Sequence, residues 1–128
     1  MAKTRVFLVD DSADIRRAVR RLFHLHPDFE VVGEAVHGLD AVERAPSLRP
    51  HLIVLDLSMP VMNGLETAKL LSKILPDAWM ILLTAFEIPE VHRLLREAGI
   101  HALVPKSKAG TDLVPQAESL VYPARFAS

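Results

Sequence analysis

The chain has 128 residues, half of them hydrophobic, with 15 basic against 16 acidic side chains and no cysteine. That length fits one domain with a full core, and the balanced charge gives no electrostatic case for binding nucleic acid or a membrane surface. The missing thiols remove disulfides, thiolate metal sites and cysteine nucleophiles.

Met1-Ala2-Lys3-Thr4-Arg5 leads straight into Val6-Phe7-Leu8-Val9 without the apolar core and cleavage site of a signal peptide. No stretch nears the roughly 20 apolar residues that span a bilayer, so the expected setting is the cytoplasm. Val6 to Val9 is a short continuous apolar run, the pattern of a strand buried on both faces, and it ends in Asp10-Asp11. Ile15, Ala18, Val19, Leu22 and Phe23 then follow helical spacing, with Arg16, Arg17, Arg20 and Arg21 on the other faces. Ser12 or Asp14 can cap this helix or favour its positive end, and Pro27-Asp28 ends it. Glu30 to Ala35 alternates as a second strand, and Gly38 opens a short helix carrying Leu39, Val42 and Ala45. Pro46 and Pro50 are expected to bracket the return to a third strand, Leu52-Ile53-Val54-Leu55, which ends in Asp56.

The loop from Leu57 to Gly64 is rich in turn residues and closes on the flexible pair Asn63-Gly64. A helix from about Leu65 to Leu75 follows, stopped by Pro76-Asp77. Met80-Ile81-Leu82-Leu83 forms a fourth strand ending in Thr84. Pro89 suits the first turn of the next helix, whose stripe of Val91, Leu94, Leu95 and Ala98 is closed by Gly99. The fifth strand, Ala102-Leu103-Val104-Pro105, stops at Lys106; the last helix bears Leu113, Ala117, Leu120 and Val121, with Pro115 expected in its first turn.

Five alternations of strand and helix imply an α/β, doubly wound (βα)5 domain with a parallel sheet. Pro105 donates no ladder hydrogen bond, so the fifth strand belongs at an edge, which supports the order 2-1-3-4-5. Sheets of this kind place ligands beyond the carboxyl ends of their strands. Asp10, Asp11, Asp56, Thr84 and Lys106 should therefore converge, and three carboxylates, a hydroxyl and a lysine suit a hard cation together with an oxyanion such as phosphate. Without the cation the carboxylates repel one another, which should raise at least one of their pKa values.

In order and spacing, the acid pair Asp10-Asp11, Asp56, the loop Met59-Pro60-x-x-Asn63-Gly64, the pair Thr84-Ala85 and Lys106 resemble the receiver domain of bacterial two-component response regulators, over residues 4–122, with 123–128 as a C-terminal tail. The resemblance implies the flavodoxin-like receiver fold and a phosphoacceptor role for Asp56, fed by a sensor histidine kinase or phosphotransfer protein. It also implies Mg²⁺ held by Asp11, Asp56 and the Ser58 carbonyl, with Asp10 on a ligated water, and Thr84 and Lys106 on phosphoryl oxygens. Output would pass through the fourth-helix, fifth-strand face to a partner or a homodimer. Such a domain phosphorylates and dephosphorylates itself and is not a turnover enzyme on an external substrate.

Receivers usually carry Tyr or Phe three positions before the lysine; here that position is Leu103. Ser107 stands where a proline commonly follows the lysine, and Lys106-Ser107 with Asn63-Gly64-Leu65-Glu66 resembles receivers that precede LuxR-type DNA-binding domains. No such domain fits in these residues, so the chain is expected to be a single-domain receiver or a fragment. The altered switch motivates an alternative, a pseudo-receiver that binds partners without phosphorylation. A free-standing aspartyl phosphatase fits less well, because Ser58 occupies the place of its general acid. Phe86, two after Thr84, is a candidate shield for an acyl phosphate. The helix-one arginines are read as a solvated arc that could extend a kinase-docking face, the six scattered histidines as no metal site, and Trp79 and Tyr122 as packing residues.

Overall fold

The computed structural model describes residues 2–59, 62–85 and 90–126. Strands β1 (Thr4–Val9), β2 (Phe29–Ala35), β3 (Leu52–Asp56), β4 (Trp79–Thr84) and β5 (Ala102–Pro105) alternate with helices α1 (Ala13–His24), α2 (Gly38–Leu48), α3 (Gly64–Ile74), α4 (Val91–Ala98) and α5 (Ala109–Val121). All pairings are parallel and the order is β2-β1-β3-β4-β5, with Pro105 on an edge strand as its missing N–H requires.

Side-chain alternation along the strands sorts the core into two layers. Phe7, Val9, Ile53, Leu55, Met80 and Leu82 face Ala41 and Ala45 of α2, Ala68 and Leu71 of α3 and Ala98 of α4. Val6, Leu8, Leu52, Val54, Ile81, Leu83 and Val104 face Val19 and Phe23 of α1 and Leu113 and Ala117 of α5. Two helices cover one face and three the other, which is the doubly wound arrangement.

Helix starts follow their caps. The Ser12 hydroxyl accepts the Ile15 N–H on α1, the His37 ring accepts the Asp40 N–H on α2, and Asn63 with Glu66 forms a reciprocal capping box on α3. Gly99 closes α4 at φ 77°, the left-handed conformation glycine adopts without strain.

Two prolines sit elsewhere than expected. Pro46 lies inside α2, which continues to Leu48 because that leucine packs into the core beside Gly33, while the Arg5 guanidinium caps the Leu48 carbonyl. Pro115 lies in the middle of α5 rather than in its first turn, since the helix already begins at Ala109. Both prolines are exposed, so water can reach the carbonyls they leave without a helical donor, while Leu48, Leu113 and Ala117 hold the helices to the core. The expectations for Pro60, Phe86 and Pro89 fall outside the described residues.

At the amino end of the sheet, the Tyr122 hydroxyl meets the Thr4 hydroxyl and its ring packs edge-on to Phe29. Residues Pro123–Phe126 form a 3-10 turn that lays Arg125 over the Tyr122 ring, 4.0 Å from its centroid. Trp79 packs edge-on against the His101 ring at 4.7 Å, so both large aromatics serve packing.

Candidate functional site

Strand register gathers the polar strand ends. Val9 lies opposite Leu55, Asp56 opposite Leu83, and Thr84 opposite Pro105, so Asp10, Asp56, Thr84 and Lys106 come out side by side at the carboxyl edge. Asp10, Asp56 and Thr84 are buried, at 4%, 3% and 3% exposure. Asp11, Ser58 and Ala85 are exposed at the rim.

The Lys106 ammonium donates to Asp56 Oδ1 at 2.9 Å and stands 3.5 Å from Asp10 Oδ2. Ser12 N–H donates to Asp10 Oδ1 at 2.8 Å, but Asp10 Oδ2 is fully buried without a hydrogen bond. Buried carboxylate oxygens rarely lack a hydrogen bond, and here the Lys106 charge 3.5 Å away is left to offset the lost hydration of Oδ2. Asp10, Asp11 and Asp56 can each offer one oxygen to a shared point, the three oxygens lying within 4.8 Å of one another.

Three carboxylates against one ammonium leave an excess negative charge that a divalent cation would neutralise. Burial, more than the neighbouring Asp56 and Asp11 charges, raises the Asp10 pKa above its ordinary 3.8, against the lowering effect of the Ser12 N–H and of Lys106. The rise expected from charge clustering is present, with burial as its first cause and the Asp56 and Asp11 charges adding to it. For Lys106, burial favours the neutral amine, yet the Asp56 hydrogen bond and the Asp10 and Asp56 charges together prevail and raise its pKa.

The backbone around Asp56 is held by a residue whose importance the sequence disguised as flexibility. Gly64 N–H donates to the Leu57 carbonyl at 2.8 Å, and a Cβ at position 64 would overlap the Asp56 carbonyl oxygen and crowd the Leu57 Cα at 2.9 Å. Glycine here permits α3 to start directly against the strand end that carries Asp56. Leu103 pairs with Leu82 in register and packs, half-buried, against the core layer beneath α2, α3 and α4.

The helix-one arginines are not a uniform solvated arc. Arg16, with only 15% of its side chain exposed, donates from Nε to Glu34 Oε1 at 3.0 Å and from Nη1 to the Asp10 carbonyl at 2.7 Å. Arg20 pairs with the other Glu34 oxygen, and Arg17 with Asp14. Glu34 was not singled out from sequence, since only the β1–β2 register reveals what it faces.

Beside the site, Ile15 and Leu22 of α1, its C-cap Leu25, and Lys106, Ala109 and Gly110 line a groove of about 340 Å³. No helix among the described residues is long and apolar enough to cross a membrane.

Known proteins are similar to this chain in sequence and in fold. The family described as the response regulator receiver domain matches residues 6–118. The response regulator protein VraR of Staphylococcus saprophyticus is 34% identical over 110 residues, covering 85% of this chain and 52% of that protein. A protein-glutamate methylesterase/protein-glutamine glutaminase of Carboxydothermus hydrogenoformans is 42% identical over 76 residues, 59% of this chain and 22% of that protein. The chain thus spans about half the length of one relative and about a fifth of the other. Among solved structures, the signal receiver domain of the response regulator NarL from Mycobacterium tuberculosis superposes with a TM-score of 0.86 at 27% identity, covering 94% of this chain and 97% of that one.

Proposed function

The chain belongs to the response regulator receiver family, and on that premise we propose that it accepts a phosphoryl group on Asp56 from a histidine kinase or phosphotransfer protein in a Mg²⁺-dependent step. The observation that carries this reading is the buried, hydrogen-bond-free Asp10 Oδ2 beside Asp56 and Lys106, a charge deficit of the kind a divalent cation fills. Asp11, Asp56 and the Ser58 carbonyl would hold Mg²⁺, with Asp10 on a ligated water; few carboxylates and several waters suit this ion. Bound there, the ion offsets the repulsion between the attacking carboxylate and the anionic phosphoryl group.

An Asp56 oxygen forms the new P–O bond as the P–N bond of a phosphohistidine breaks, and the leaving imidazole keeps the electron pair. Lys106, which sits on Asp56 Oδ1, would swing its ammonium onto an incoming phosphoryl oxygen, and the Thr84 hydroxyl, buried at the end of the neighbouring strand, would donate to another. Both meet charge that grows during transfer. Exposed Ala85 leaves the approach open.

The groove between α1 and the start of α5 opens beside Lys106 and offers an apolar seat for the phosphodonor protein. Output would pass through α4 and β5 to a partner or a second copy, with Leu103 repacking in place of the usual aromatic ring. The receiver is taken as residues 4–122 and 123–128 as its tail, acting in the cytoplasm as a signalling module without turnover on external substrates. Its likeness to the response regulator protein VraR, of which it matches about half, supports a role as the receiver part of a longer regulator.

Beryllofluoride uptake tests the site, because the fluoride complex mimics a phosphoryl group on the acceptor carboxylate. Uptake that requires Mg²⁺ and is lost in Asp56→Asn is expected. A wild-type chain that takes up none in millimolar Mg²⁺ would instead support the pseudo-receiver.

A further inference from the structure

We propose that Arg16 is a positioning residue for the acidic pocket: gripped by Glu34, its guanidinium fixes the Asp10–Asp11 peptide so that the Asp11 carboxylate stays aimed at the cation position. The inference rests on the Mg²⁺ reading above and adds a residue that touches neither the ion nor the phosphoryl group.

Asp10 is tied at three of its four polar atoms. Its N–H donates to the Ala35 carbonyl at 3.1 Å, its Oδ1 accepts from Ser12, and its carbonyl accepts from Arg16 at 2.7 Å. The fourth atom, Oδ2, is thereby turned toward Lys106 and Asp56. A carbonyl and the following N–H share one rigid plane, so the bond from Arg16 also sets the direction in which the chain leaves toward Asp11.

That direction matters because Asp11 has no other support. Its side chain is exposed, and among the described residues its carboxylate has no hydrogen-bond or ion-pair partner. Its place in the three-carboxylate cluster comes from the backbone alone. Arg16 can fix that backbone because it is itself held: its Nε bonds Glu34 Oε1, and Arg44 donates to the Glu34 carbonyl. The rigid fork of a guanidinium spans the two acceptors at once, which a single ammonium cannot do.

Calorimetric titration of the full chain with MgCl₂ tests the assignment, with Arg20→Ala as the matched control that leaves the same glutamate but never touches Asp10. Arg16→Ala is expected to weaken Mg²⁺ binding about tenfold, in the range seen when groups that orient metal ligands are removed, while Arg20→Ala stays within about twofold of wild type. The Asp11 amide resonance of the metal-free protein should move in Arg16→Ala and not in Arg20→Ala. Should Arg16→Ala fail to fold, Arg16→Lys, which keeps the charge and loses the fork, is expected to show the weakened binding instead. Unchanged affinity in whichever Arg16 variant folds, or equal weakening in Arg20→Ala, overturns this inference alone. A wild type that binds no Mg²⁺ overturns the site reading and this inference with it.

Discussion

At the amino end of the sheet, acids and bases meet in pairs around the tail. Arg125 donates to Asp28 at 2.8 Å and lies 3.8 Å from Glu118, which in turn sits 3.3 Å from the His26 ring. At the carboxyl end, Asp10, Asp11 and Asp56 crowd around Lys106 alone. The same residue type titrates in opposite directions at the two ends: the hydrogen bond from Arg125 holds Asp28 below its ordinary 3.8, whereas burial lifts Asp10 above it. One end fastens the last helix and the tail onto the α1–β2 loop; the other keeps a charge imbalance that folding leaves in place. Such an imbalance suits a bound ligand that relieves it, which is what sets the carboxyl end apart from the paired amino end.

The largest expected effect bears on the carboxyl end. Mg²⁺ at a hundred times its dissociation constant should stabilise the wild type by about 2.7 kcal/mol, read as a rise in melting temperature. Asp10→Asn should raise the melting temperature of the metal-free protein and remove most of that gain; no shift in either would mean that the cluster stores no repulsion. Next comes Gly64→Ala, whose added Cβ meets the backbone of Asp56 and Leu57. Forcing the contact should cost about 1–3 kcal/mol in urea unfolding and blunt the Mg²⁺ response as well.

Tyr122→Phe, at the amino end, should cost about 1 kcal/mol through its lost contact with Thr4 and leave the Mg²⁺ response intact. Acidification then separates the two ends. Asp28 has a lowered folded pKa, so its contribution is present above 3.8 and lost as pH falls through that folded value. Asp10 has a raised folded pKa, so its destabilisation of the folded state is complete above that value and fades as pH drops toward 3.8. The stabilisation by Mg²⁺ should therefore shrink on acidification before the amino-end clasp weakens; loss in the reverse order would break the comparison. The smallest effect is expected at Arg125→Ala, an exposed ion pair that added salt should already have weakened.

Much of this was legible in the sequence because it depends on near neighbours. Apolar runs ending in acids gave the strands and the pocket, Ser12 and Gly99 marked helix ends, and Pro105 placed β5 at the edge. Pro46 and Pro115 misled because a proline on a solvent-facing arc leaves its unpaired carbonyl to water, while Leu48 and Leu113 keep the helix bound to the core. The roles of Gly64, Arg16 and Glu34 depend on what lies across a strand or beneath a helix start. Glycine after asparagine reads as a turn, and an arginine among four reads as surface, until register brings Gly64 onto the Asp56 carbonyl and Arg16 onto that of Asp10.

Phosphorylation of Asp56 itself is the most direct measurement. Incubation of the full chain with a small acyl phosphate, followed by intact-mass measurement, should show one phosphoryl group added to the wild type only when Mg²⁺ is present, and none added to Asp56→Asn. Labelling of Asp56→Asn to the wild-type extent, or labelling of the wild type that ignores the removal of Mg²⁺, would contradict it.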